Sequence, residues 1–160
     1  MKKVLVTGAT GFTGSHLVRA LVSDGRRVRV IARSVARARE VLPQSAEIVE
    51  GDIADPGVVE RAAEGVTTVY HLAAVYREAR HPDWRYREVN VDASRRLLDA
   101  AVGAGVRRYV HCSTVGVHGD IEHPPASEDA PLRPGDILLL ATLIETESGT
   151  LQYRTLKPVH

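Results

Sequence analysis

"KVLVTGATGFTG", residues 3–14, sets an apolar, β-branched run directly against glycines at positions 8, 11 and 14. Val4 to Val6 reads as a strand buried on both faces, because neither side of it is polar. From Gly14 to Asp24, Leu17, Val18, Leu21 and Val22 recur at helical spacing, and Gly25 suits a C-terminal stop. A strand, a glycine turn and a helix in that order make a phosphate site. The helix N-terminus offers unpaired N–H groups and partial positive charge, and glycine lets an anion reach the backbone. The spacing is Gly-x-x-Gly-x-x-Gly, not the commoner Gly-x-Gly-x-x-Gly, and a tight βα turn without a ligand is the other use of such a stretch.

The alternation continues outward. Val28 to Ala32 reads as a second strand, Val35 to Leu42 as a helix ending before Pro43, and Glu47 to Glu50 as a third strand closed by Gly51. Pro56 to Ala63 reads as a helix with proline near its start. Thr67 to Ala73 follows as a fourth strand. A long helix is expected from Trp84 to Ala104, with Val89, Ala93, Leu97, Leu98, Ala101 and Val102 facing inward, and then a fifth strand from Arg108 to Cys112. Five strands alternating with helices predict an α/β fold, a doubly wound parallel sheet covered on both faces. The stretch 116–135 holds four prolines and reads as loop.

Composition narrows the classes further. With 160 residues, 44% hydrophobic and 26% charged, the chain reads as one soluble domain. A net charge of +1 gives no overall pull toward nucleic acid or an acidic membrane surface. No apolar run approaches the ~20 residues of a membrane span. No signal peptide is visible, since the apolar run after Lys2 and Lys3 breaks at Gly8. The single cysteine, Cys112, fits a reducing compartment, so a cytoplasmic location is expected. His71, His111, His118 and His123 lack ligand spacing, so no metal site is expected.

"VTGATGFTG" resembles the opening of the extended short-chain dehydrogenase/reductases, the epimerase, dehydratase and dihydroflavonol-reductase-like group. Further marks of that group follow in order: "GDI" at 51–53, "HLAA" at 71–74, "NVDAS" at 90–94 and "YVHCSTVGVHG" at 109–119. The resemblance implies a Rossmann-like sheet of strand order 3-2-1-4-5 and hydride transfer to or from a carbonyl or hydroxyl of a small organic substrate, with epimerase and dehydratase variants. It implies that Gly8, Gly11, Phe12, Thr13 and Gly14 line a pyrophosphate, and that Asp52 and Ile53 meet the adenine, Asp52 through its amino group. It places Leu72, Ala73 and Ala74 along the ribose and nicotinamide, and makes Asn90 a brace near the active site. Asp52 has a plainer use as a cap of the turn before Pro56.

NAD sites place an acid at the end of the second strand to bond the ribose 2′-hydroxyl. Here that stretch is "VIARS", residues 30–34, with Arg33 in the acid's place and Ser34, Arg37 and Arg39 close by. A guanidinium presents a fork of donors suited to phosphate oxygens, so NADP is expected over NAD. For catalysis the resemblance implies a Ser or Thr that polarises the carbonyl, and a Tyr whose pKa is lowered by a Lys four residues on. Thr114 matches the hydroxyl, and the Tyr-x-x-x-Lys spacing occurs at Tyr153 and Lys157. That pair stands 39 residues after Thr114 and directly before Pro158, and "LQYRTLKPV" reads as extended rather than helical. Extended residues four apart lie about 13 Å apart, too far for the usual pairing.

Two parts are therefore expected. Residues 1–135 form a dinucleotide-binding domain, and residues 136–160 form an irregular or altered segment with the substrate-binding portion largely missing. The alternative to an enzyme is an NADP-binding domain without turnover. Apolar surface left by a shortened sheet predicts self-association, through 137–140.

Overall fold

The apolar run at 4–6 becomes the middle strand of a five-stranded parallel sheet ordered β3-β2-β1-β4-β5. The computed structural model describes residues 3–75, 82–113, 127, 130, 141–144 and 152–155. The sheet is built from β1 (Lys3–Thr7), β2 (Arg27–Ala32), β3 (Glu47–Glu50), β4 (Thr68–His71) and β5 (Arg108–His111). Three helices cross between the first four strands: α1 (Phe12–Ser23), α2 (Val35–Val41) and α3 (Pro56–Ala63). Between β4 and β5 run α4 (Asp83–Tyr86), a π-helical segment (Arg87–Asp92) and α5 (Ala93–Gly103). Farther on, β6 (Ala141–Ile144) and β7 (Gln152–Thr155) form an antiparallel pair. The strand order and parallel pairing agree with the Rossmann-like expectation. Among the described residues, no helix is long and apolar enough to cross a membrane.

Side chains of a strand alternate between faces, so the sheet carries two cores. Val4 and Val6 of β1 pack with Val18 of α1 and with Val28 and Val30 of β2. Leu5, on the opposite face, packs with Val59 of α3, Val69 of β4 and Leu97 of α5. A run apolar on consecutive residues is thus what a strand covered on both sides requires.

Several details differ from the reading. α1 begins at Phe12 instead of Gly14, because the N–H of Ser15 bonds to the carbonyl of Gly11 and closes the first turn there. β4 ends at His71, leaving Leu72 and Ala73 in the loop beyond it, and β5 likewise ends at His111. The single long helix contains the π-helical segment at 87–92. Val102, expected inside, is 38% exposed; the buried stripe is set by Ala93, Ser94, Leu97, Leu98 and Ala101, and Val102 falls just past its edge.

One core-facing position is charged. Arg29 of β2 is buried, and its Nη1 donates to the carbonyls of Arg61, Ala62 and Glu64 at 3.1, 2.9 and 2.8 Å. Those carbonyls close the C-terminal end of α3, where helix geometry leaves acceptors unpaired and the dipole favours a cation. Nε and Nη2 of the same guanidinium reach Glu47, its partner on β3, at 2.8 Å. Lys3 also contacts Glu47 at 2.9 Å. Burial raises the Glu47 pKa, but bonds from Lys3 and Arg29 outweigh it and hold the carboxyl below its ordinary value. Replacing Arg29 by Met keeps the stem's packing and strands three carbonyls. The expected loss is about 2 kcal/mol in urea unfolding; an unchanged midpoint would show that water serves those carbonyls equally well.

Candidate functional site

The glycine turn is shaped by contacts that admit no side chain. Gly8 takes φ +67°, and a Cβ there would lie 2.7 Å from the backbone nitrogen of Ala73. A Cβ on Gly14 would lie 2.1 Å from the Gly8 carbonyl oxygen. Helix α1 is therefore pressed onto the end of β1, and its N-terminus faces the space above the strand. Its cap, Gly11, supplies no side-chain bond, and no acidic residue stands in the first turn. The N–H groups of Phe12, Thr13 and Gly14 precede the first intrahelical bond, so they remain available to an anion.

Above this turn lies an open cavity of about 290 Å³ at the C-terminal ends of the strands. It gathers Gly8, Gly11, Arg33, Asp52, Ile53, Leu72, Ala73 and Ala74 of the residues expected from sequence. Phe12, Thr13 and Gly14 do not line it with side chains; they form the first turn of α1, and the Phe12 ring is 85% exposed. Arg85, Val89 and Thr10 also line the cavity; Val89 was expected only as an inward-facing helix residue, and neither Arg85 nor Thr10 was expected there. A phosphate-bearing nucleotide fits this donor set: an uncapped helix end, glycines at 8 and 11 in the lining, and an exposed guanidinium, Arg33.

A directional hydrogen-bond chain runs beneath the 72–75 loop. The Ser94 hydroxyl donates to the Asn90 carbonyl at 2.8 Å. Ser94 Oγ therefore accepts from Nε2–H of His71, also at 2.8 Å, which leaves His71 Nδ1 as an acceptor. The Thr7 hydroxyl donates to that nitrogen at 2.7 Å and accepts from the Ala73 N–H at 3.3 Å. The network itself thus assigns the tautomer. Burial, aided by the neighbouring His111, pushes the His71 pKa down to about 3, so the ring stays neutral. Asn90 completes the support: its Oδ1 accepts from the Val75 N–H at 2.8 Å and its Nδ2 donates to the Val75 carbonyl at 2.9 Å.

At the other end of the cavity, Asp52 serves two partners. Oδ1 accepts from the Ala54 N–H at 2.9 Å, shaping the turn before α3, and Oδ2 accepts from Arg85 Nη2 at 2.9 Å. Arg85 also pairs with Glu88. Burial raises the Asp52 pKa, but the Ala54 N–H, Arg85 and the charge of Arg33 outweigh it and keep the carboxyl ionised below its ordinary value. The cap of α3 is Asp55, not Asp52. Of the basic residues near Arg33, Arg39 is committed to the carbonyls of Gln44 and Ala46, and Ser34 accepts from the Arg37 N–H as the cap of α2.

The expected catalytic set is not assembled by the described residues. Thr114 and Lys157 lie outside them, as does the stretch 137–140. Tyr153 stands in β7, paired with Leu143 of β6, so its backbone is extended. Among the described residues no group of three metal-ligating side chains occurs.

A model of the NAD dependent epimerase/dehydratase family matches residues 4–137. The chain is 37% identical over 134 residues to "Sterol demethylase protein B" of Methylococcus capsulatus, covering 82% of this chain and 41% of that protein. It is 36% identical over 138 residues to the UDP-glucose 4-epimerase of Streptomyces lividans, covering 82% and 42%. Among solved structures, a short-chain dehydrogenase/reductase superfamily protein from Agrobacterium tumefaciens with bound NAD superposes with a TM-score of 0.73 at 38% identity, covering 82% and 39%. The chain spans about two fifths of the length of these proteins.

Two outcomes test this geometry. In an open helix, Gly→Ala gains about 1 kcal/mol. Gly14→Ala should reverse that sign and cost about 2 kcal/mol or more, because its Cβ has no room; urea unfolding reads the sign. His71 has a folded pKa below its ordinary 6.5, so its contribution to stability is complete above pH 6.5 and is lost as pH falls toward 3. Unfolding midpoints measured from pH 7.5 to 4.5 should fall with acid, and His71→Asn should flatten that slope; an identical slope in the variant would exclude His71 as its source.

Proposed function

The chain belongs to the NAD dependent epimerase/dehydratase family, and on that premise we propose that it is the dinucleotide-binding part of an NADP(H)-dependent oxidoreductase. The observation that carries the reading is the cavity over the glycine turn, which collects residues from five separate stretches of chain at the ends of the strands. The bound nicotinamide would supply hydride transfer to or from a carbonyl or hydroxyl carbon. The N–H groups at the start of α1 hold the pyrophosphate, Asp52 and Ile53 meet the adenine, and Leu72, Ala73 and Ala74 form the wall beside the ribose and nicotinamide. The His71 chain and the Asn90 clamp keep that wall in place.

The relatives' names point to different substrates, a sterol and UDP-glucose, so the substrate class proposed stays at a small organic carbonyl or alcohol, with epimerisation or dehydration as variants of the same hydride chemistry. Cofactor preference is the finer claim. The Agrobacterium tumefaciens structure carries NAD. Against that stands Arg33, which lines the cavity and, among the described residues, makes no hydrogen bond or ion pair. An uncommitted guanidinium is suited to a 2′-phosphate, and no acid occupies the end of β2 to repel one.

Thr114 is proposed as the carbonyl-polarising hydroxyl, with Tyr153 and Lys157 as the proton-transfer pair. A second reading, dinucleotide binding without turnover by this chain, is favoured by one observation: Tyr153 lies in a strand, where a residue four along does not share a helical face with it.

Titration of the chain with NADPH and NADH by nucleotide fluorescence should show NADPH bound about tenfold more tightly, the worth of a charge-assisted hydrogen bond. Arg33→Ala should remove most of that ratio. Equal affinities in the wild-type chain would sink the NADP assignment and leave the dinucleotide site standing. For turnover, Tyr153→Phe in an active preparation should lower kcat by about a hundredfold or more; unchanged kcat would remove Tyr153 from the mechanism and favour the second reading.

A further inference from the structure

The cavity holds two arginines and one carboxylate within reach of both. Arg85, at the start of the α4 to α5 helical run, and Arg33, after β2, both line it with Asp52, and the charges of both act on that carboxylate. The two cations are in different states. Arg85 is mostly buried, and its guanidinium is bonded to Asp52 Oδ2 at 2.9 Å and to Glu88 on the next turn. Arg33 is exposed at the mouth and has no partner among the described residues.

We propose that Arg85 is a specificity-determining residue that acts through Asp52: by occupying that carboxylate it keeps Arg33 free to take a 2′-phosphate. A carboxylate inside a partly desolvated cavity attracts the nearest available cation. Without Arg85, that cation is Arg33, whose charge already acts on Asp52. Arg33 then turns inward to an ion pair, the cavity is left one positive charge poorer, and a 2′-phosphate loses its donor fork. A ribose 2′-hydroxyl is almost indifferent to the same change, being neutral. The effect therefore appears in the ratio of the two affinities, which a general loss of packing would leave alone. Glu88 has a supporting part: it holds Arg85 from behind at i, i+3 and fixes the direction of its fork.

The inference rests on the reading of Arg33 given above, and a double-mutant cycle separates the two. Kd values for NADPH and NADH are measured for the wild-type chain, R33A, R85M and R33A/R85M. The expected result is a fall of about fivefold or more in the NADPH preference for R85M, the lower end of ordinary coupling between sites. The same substitution in the R33A background should leave the ratio unchanged. Adding D52N to R85M should restore the wild-type ratio, because nothing then draws Arg33 inward. If R85M does not fold, D52N alone decides: the ratio should hold or rise, and a fall overturns the inference. A wild-type preference that R33A abolishes but R85M leaves intact overturns the role of Arg85 only. A ratio that R33A does not move overturns the reading of Arg33 beneath it.

Discussion

Main chain meets main chain at Gly8, and the remaining architecture is arranged around that approach. The loop after β4 passes so close that a methyl group on Gly8 would collide with the Leu72–Ala73 peptide, while the Gly8 carbonyl is itself pressed by Gly14 of α1. Three elements are thus locked without side chains between them. Because Cβ atoms are excluded at Gly8 and Gly14, α1 is held close to the end of the central strand, with its uncapped N-cap residue Gly11 lining the cavity. The contact is a packing constraint and a binding device at once.

Polar side chains then do what apolar packing cannot, which is to fix loops in direction. His71 and Ser94 are buried where an unpaired group would cost on the order of 1–3 kcal/mol each. Each donor in their chain has an acceptor, from the Ala73 N–H through Thr7 and His71 to the Asn90 carbonyl. Asn90 adds a two-point clamp on Val75 from within the π-helical segment. The wider turn there brings sheet, helix and loop into one network, in keeping with the frequent occurrence of π turns at functional sites. The wall of the cavity is therefore held from below by the same residues that join β1, β4 and α5.

Charge is partitioned in a comparable way. Arg29, inside the fold, is spent on the open carbonyls of α3 and on Glu47. Arg39 is spent on the carbonyls of the α2–β3 connection, and Arg85 on two carboxylates. Arg33 alone among those considered is left facing the cavity without a partner among the described residues. A basic residue's number in the sequence says nothing of this division, since each guanidinium is committed by acceptors that lie far away along the chain.

The residues by themselves determined the alternation of strands and helices in a parallel sheet, and the family resemblance carried by their motifs supplied the strand order and most of the cavity wall. Consecutive apolar residues at 4–6, glycines three apart and landmarks at 51–53, 71–74 and 90–94 are local patterns, and local patterns survive in sequence because backbone conformation and burial on both faces depend on neighbours. Phe12, Thr13 and Gly14 form the first turn of α1, where they present backbone N–H groups and, at Gly14, clearance for the Gly8 carbonyl. Tertiary structure alone decided the rest. The burial of Arg29, the tautomer of His71, the inclusion of Arg85 in the cavity and the exposure of Val102 all turn on which distant groups the fold brings within 3 Å. Hydrogen bonds and ion pairs are short-ranged and directional, so their partners emerge only when strands and helices have closed on one another.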